Sequence, residues 1–128
     1  MAGGRTPTRS AEEARRLALA LAAAAREMKA EEVRVLEVAD LLFITDYFVI
    51  ATTGTPRQTR GLAESLNQTA RELGFAKGRL EGDHRSHWLL LDFGVVVVHL
   101  LTPEAREFYA LDDLWAEARE VETDESAA

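Results

Sequence analysis

The sequence predicts a single α/β domain, a mixed β-sheet of about five strands flanked by helices, and three observations predict it. Residues 11–29 and 56–73 carry apolar side chains at helical spacing. Runs at 33–38, 47–52, 87–93 and 95–101 are rich in β-branched, Leu and aromatic residues and read as strands. A helical crossover after the second of these permits parallel pairing, whereas the short connection at Gly94 imposes an antiparallel hairpin, so the sheet is mixed. At 128 residues the chain supports one core and not two.

Ser10 followed by Glu13 is a capping box and starts the first helix. Arg15-Arg16 ahead of the apolar run Leu17 to Ala25 resembles a secretion signal. Nine residues cannot span a bilayer, however, and Glu12 and Glu13 occupy what should be a basic region. The expectation is an amphipathic helix in a cytoplasmic chain with no membrane segment. Val33 to Val38 alternates as a first strand, and Tyr47 to Thr52 is apolar almost throughout, as a strand covered on both faces should be. Thr55 as N-cap, Pro56 at the first helical position and Gln58 three residues after the cap open the second helix. Its stripe is Leu62, Ala63, Leu66, Ala70 and Leu73, and Gly74 ends it. Residues 75–81 suit a weak strand. His87 to Phe93 and Val95 to Leu101 form the hairpin, with Gly94 at the first central position of a type II′ turn. Thr102-Pro103 opens a helix through Tyr109, and Asp112 starts another holding Leu114, Trp115 and Ala118. Residues 1–10 are expected to be a flexible N-terminus, 11–119 the domain, and 120–128 an acidic tail.

The formal charge is −7, from 15 Lys and Arg against 22 Asp and Glu. Residues 1–111 hold 15 acids and 14 bases, whereas 112–128 hold seven acids and only Arg119, so the acidity belongs to the C-terminal end. Such a chain lacks the basic face that phosphate-backbone binding needs. Without cysteine there is no disulfide framework, thiolate zinc site or thiol nucleophile.

Gly54-Thr55 at a strand-to-helix turn, with Arg57 and Arg60 nearby, could present N–H groups to a phosphate, but the turn is neither a P-loop nor a dinucleotide fingerprint. No paired acids follow it to hold Mg²⁺, since Asp92 stands alone in the adjoining strands. A metal site would need His84, His87 and His99 to converge, and His99 within Val95 to Leu101 reads instead as a strand histidine that either pairs with a cross-strand polar group or faces a partner. No nucleophile elbow occurs, and no cofactor is expected. The aromatic residues remain. Phe108 and Trp115 read as core, whereas Trp88 and Tyr109, each with a polar handle, suit an interface, and Trp88 and Phe93 flank the hairpin.

The segments Thr45-Asp46-Tyr47-Phe48-Val49-Ile50-Ala51-Thr52, Arg57-Gln58, Glu81-Gly82, Trp88 with Asp92-Phe93-Gly94, Val97-Val98-His99, and Arg106 through Tyr109 to Leu114-Trp115 follow one another in an order that resembles the ribosomal silencing factor, or Iojap, family. The resemblance spans about residues 11–118. It implies a topology similar to nucleotidyltransferases without their catalysis. It implies binding to the large ribosomal subunit at ribosomal protein L-fourteen (uL-fourteen), with little direct nucleic-acid contact. The bound factor then blocks joining of the small subunit and represses translation in starvation or stationary phase. Members also often form homodimers. The contact residues it implies are Trp88, Asp92, Phe93, Gly94, Leu101 and Tyr109. Two departures stand out: Val95 occupies a position where the family commonly has Asp, and Thr53 one where glycine is usual. The competing reading is a nucleotide-binding or degenerate nucleotidyltransferase-like domain built on Gly54, Thr55 and Arg57. A third is a self-pairing dimerisation module.

Overall fold

The computed structural model describes residues 10–42, 44–83 and 85–121. Helix α1 (Ala11–Glu27) begins at the expected capping box, with Ser10 Oγ accepting from the Glu13 N–H and Glu13 Oε1 from the Ser10 N–H, both at 3.1 Å. Strands β1 (Glu31–Glu37) and β2 (Tyr47–Thr52) follow, then α2 (Pro56–Glu72). Next come β3 (Arg79–Glu81), β4 (Trp88–Asp92) and β5 (Val96–Leu101). The last described elements are α3 (Pro103–Tyr109), α4 (Leu111–Leu114) and β6 (Arg119–Val121).

One sheet runs in the order β3-β4-β5-β2-β1-β6. β2 and β5 are parallel and every other pair is antiparallel, so the sheet is mixed as the crossover and the hairpin require. All six residues of β2 are buried. Alternation along the strands divides the sheet into two faces. Leu89, Leu91, Val96, Val98, Leu100, Val49 and Val35 pack with the buried stripes of α1 and α2 in the larger core. The opposite face holds Leu36, Phe48, Ile50 and Leu101 under Ala105 of α3 and Leu111 of α4, with Trp88, Val97 and Trp115 at the edge of that smaller core.

The hairpin glycine is where the sequence puts it. Gly94 has φ +89° and its N–H is held by Asp92 Oδ1 at 2.7 Å. The turn closes more tightly than type II′, because the Val95 N–H reaches back only two residues to the Phe93 carbonyl, at 3.1 Å.

The expected mixed sheet of about five strands has six among the described residues, because Arg119–Val121 pairs antiparallel with β1 in the register Val35↔Val121, Leu36↔Glu120 and Glu37↔Arg119. Glu120 and Val121 therefore belong to the domain and not to a tail beginning at 120; Val121 is 5% exposed and sits in the larger core. The remainder of the expected tail, 122–128, and residues 1–9 lie outside the described residues. The last helix begins at Leu111 and ends at Leu114, so Trp115 caps it and Ala118 lies beyond it.

Val121→Ser removes a buried apolar side chain that seats β6 on the larger core, and is expected to lower stability by about 2 kcal/mol. Urea unfolding measures this; an unchanged midpoint would mean that β6 adds nothing to the fold.

A candidate protein-docking surface

The faces of β4 decide what its side chains can do. Leu89 and Leu91 are buried in the larger core, which turns Trp88, Leu90 and Asp92 to the other face, where all three are only half-buried. Trp88 Nε1 donates to His99 Nδ1 at 3.2 Å, so this histidine pairs with a cross-strand polar group. His99 is 7% exposed and meets the Phe48 ring edge-on, with centroids 4.5 Å apart. Burial disfavours its charged form and lowers its pKa from 6.5 to about 4, so the ring is neutral at pH 7. An Nδ1 that accepts from the indole places the ring proton on Nε2.

Above this pair the rings form a chain. Tyr109, at the end of α3, lies against Trp88 with centroids 4.8 Å apart, and Phe108 meets Tyr109 edge-on at 5.0 Å. Exposure rises outward, from a half-buried Trp88 to Tyr109 at 50% and Phe108 at 80%. Leu114 of α4 is 69% exposed. The arrangement is an apolar aromatic surface on a rigid base, with the Tyr109 phenol to orient polar contacts, which is the chemistry of a protein interface.

Of the six residues expected to make contact, Trp88 and Tyr109 come together. Phe93 and Gly94 do not join them, whereas Asp92 and Leu101 share the Trp88 face, the first half-buried and the second wholly buried. Phe93 packs on the larger core, on the opposite face from Trp88, and a Cβ added at Gly78 would stand 2.9 Å from its ring. Asp92 holds the Gly94 N–H and lies 3.6 Å from Arg79, and Gly94 itself makes the turn. Leu101 is wholly buried opposite Trp88 in the ladder, so it supports the surface from beneath. Phe108, expected in the core, is instead the most exposed ring of the surface, because Ala105, Arg106 and Leu111 fill the space under α3 and α4. Trp115 meets Phe48 edge-on at 5.2 Å, consistent with its core reading.

The nucleotide reading gains nothing from the turn at Gly54. The Gly54 N–H donates to Gln58 Oε1 at 2.7 Å, the Gln58 N–H to Thr55 Oγ1 at 3.0 Å, and Thr53 and Thr59 share a hydrogen bond of 2.6 Å. Gln58 Nε2 meanwhile donates to the Lys29 carbonyl at 3.1 Å, tying α2 to the end of α1. These groups serve as internal ties. Among the described residues no three metal-ligating side chains cluster, and His84 lies outside them.

A sequence profile described as "Ribosomal silencing factor during starvation" matches residues 11–128. The chain is 36% identical over 96 residues to a protein of Halalkalibacterium halodurans named ribosomal silencing factor RsfS, covering 75% of this chain and 82% of that one. It is 33% identical over 93 residues to a Mus musculus protein named mitochondrial assembly of ribosomal large subunit protein 1, covering 70% of this chain and 41% of that one. A crystal structure of a Chromobacterium violaceum protein matches with a TM-score of 0.72 at 30% identity, over 84% of this chain and 88% of that one.

The environment of His99 predicts a pH dependence. The unfolded ring takes its proton near pH 6.5 and the folded ring only near 4, so the unfolded state binds more protons between those values. Stability from the neutral ring is present in full above pH 6.5 and falls as pH drops, by about 2 kcal/mol between pH 7 and 5. His99→Asn should remove most of that slope in denaturant titrations. An equal slope in wild type and variant would show that His99 is not its source.

Proposed function

Because the chain belongs to the ribosomal silencing factor (RsfS, Iojap) family, we propose that it docks on the large ribosomal subunit at ribosomal protein L-fourteen (uL-fourteen) and keeps the small subunit from joining. The observation that carries this reading is the exposed chain of rings from Trp88 through Tyr109 to Phe108. Its centre is apolar and its base is fixed by β4 and β5, as an interface anchor requires. A domain of this length has a radius of gyration of about 14 Å. Bound at the joining face, it acts by occupying space, so repression needs no catalysis and no cofactor. The name of the mouse relative, which refers to the large ribosomal subunit, supports the choice of subunit.

The acidity of the chain agrees with a protein partner rather than RNA. Ribosomal surfaces mix basic protein side chains with phosphates; an acidic factor is attracted to the first and repelled by the second. The action implied is repression of translation in the cytoplasm when growth slows.

Phe108 and Tyr109 are the informative positions, because truncating an exposed side chain leaves the fold intact. Tyr109→Ala and Phe108→Ala should each weaken cosedimentation with large subunits about tenfold or more, with thermal midpoints close to wild type. The wild-type chain should also lower joining of large to small subunits in a sedimentation assay. Normal joining at saturating occupancy of the large subunit would exclude the steric mechanism.

A further inference from the structure

The aromatic surface sits on a corner. Helix α3 ends at Tyr109, Ala110 turns with φ 49° and ψ 46°, and α4 starts at Leu111. A left-handed backbone is uncommon for any residue with a Cβ other than Asn or Asp, and the methyl group of alanine offers no hydrogen bond to hold it. The corner is spanned instead by a pair of side chains on its two arms. Arg106 Nε and Nη2 meet Asp112 Oδ1 and Oδ2 at 3.2 and 3.0 Å, a two-pronged pair, and Arg106 Nη1 donates to Thr52 Oγ1 at 3.0 Å. Thr52 is the last residue of β2, so the guanidinium, 7% exposed, fastens the corner to the end of the central parallel pair. From outside, Arg34 Nη1 lies 3.1 Å from Asp112 Oδ2, and Arg34 grips Glu120 of β6 through Nε and Nη2 at 3.1 and 2.8 Å.

We propose that Arg106 is a positioning residue of the docking surface, clamping the α3–α4 corner onto β2 so that Tyr109 lies against Trp88 and Phe108 is presented outward. The proposal rests on the docking reading above but makes a separate claim. Arginine suits the role because three of its N–H groups point in fixed directions, two to the carboxylate and one to the threonine. A lysine keeps the charge and loses the fork. If the pair served stability alone, weakening it would lower the melting temperature and leave the ring contacts unchanged.

The test uses the full chain with Arg106→Lys, reading large-subunit binding by sedimentation and the Trp88–Tyr109 ring contact by nuclear Overhauser effects. The expected result is at least a tenfold loss of binding together with loss of the ring contact, while amide signals of β2 and β5 stay near wild type and melting stays cooperative. Binding within twofold of wild type, or loss of either readout without the other, overturns the clamp. Should Arg106→Lys fail to melt cooperatively, Asp112→Asn decides, expected to show both changes with a threefold or greater loss of binding. Tyr109→Ala and Phe108→Ala run alongside. Wild-type binding by both of these overturns the docking reading itself, whereas their weakened binding beside normal binding by Arg106→Lys overturns only the clamp.

Discussion

Every side chain of β2 is buried, and this strand lies beside β5 as the parallel centre of the sheet, so the fold must cover both faces there. The chain supplies that cover unequally. One face receives α1 and α2, each of 17 residues, and α1 can lie close because Ala14, Ala18, Ala22 and Ala25 stand with Leu17 and Leu21 on its buried side. The other face receives α3 and α4, of seven and four residues. Short helices can roof Leu36, Phe48, Ile50 and Leu101 but not the β4 side of that face, where Trp88 and Leu90 remain half-buried. The candidate docking surface is thus the part of a two-sided sheet that its second layer fails to cover.

This asymmetry governs what could be read in advance. Helices α1 and α2 and strand β2 were legible because their signals are local: a cap, a stripe and a continuous apolar run. β6 was not, because Arg119-Glu120-Val121 contains one apolar residue and becomes a strand only through β1, far away in sequence. The separation of Trp88 from Phe93 was implicit in the alternation, since positions an odd number apart face opposite sides of a strand. Both residues flank the turn, but only one is on the open face. Phe108 follows a different logic. In a helix of two turns, which of several apolar residues enters the core depends on what already fills it, and here Ala105, Arg106 and Leu111 do. Family resemblance pointed to the candidate docking region; which side chains reach solvent there was a matter of packing.

Beneath the surface lie two buried polar side chains, His99 and Arg106, with different surroundings. His99 gives up its charge, since its neighbours are the Trp88 indole and the Phe48 ring and nothing among its described contacts offsets desolvation. Arg106 donates instead to both carboxylate oxygens of Asp112 and to the hydroxyl of Thr52. Each joins a strand of the sheet to the exposed rings, His99 through the Trp88 indole and Arg106 through the corner after Tyr109. Buried polar contacts of this kind demand defined geometry, whereas apolar packing alone would allow the rings several arrangements. On the docking reading, orientation of the rings is the property such contacts protect.

The charge of the chain takes on structure in the same place. The body up to residue 111 is close to neutral, and the excess acidity begins at Asp112. Yet Asp112 and Glu120, two of those acids, are ion-paired to Arg34 and Arg106 within the fold. Hydrogen bonding to Arg34 depresses the Glu120 pKa and raises that of Arg34, so both charges persist at neutral pH. These acids hold the scaffold and contribute little field outward. Asp113 and Glu117, by contrast, are exposed on the segment that also exposes Leu114. An apolar surface with exposed carboxylates on a neighbouring segment gains contact area from any protein, but it favours a basic one and is repelled by phosphate. On the docking reading, rings supply the affinity and acids the choice of partner. That combination would favour a basic protein patch over RNA, provided the corner holds the rings where the acids can act.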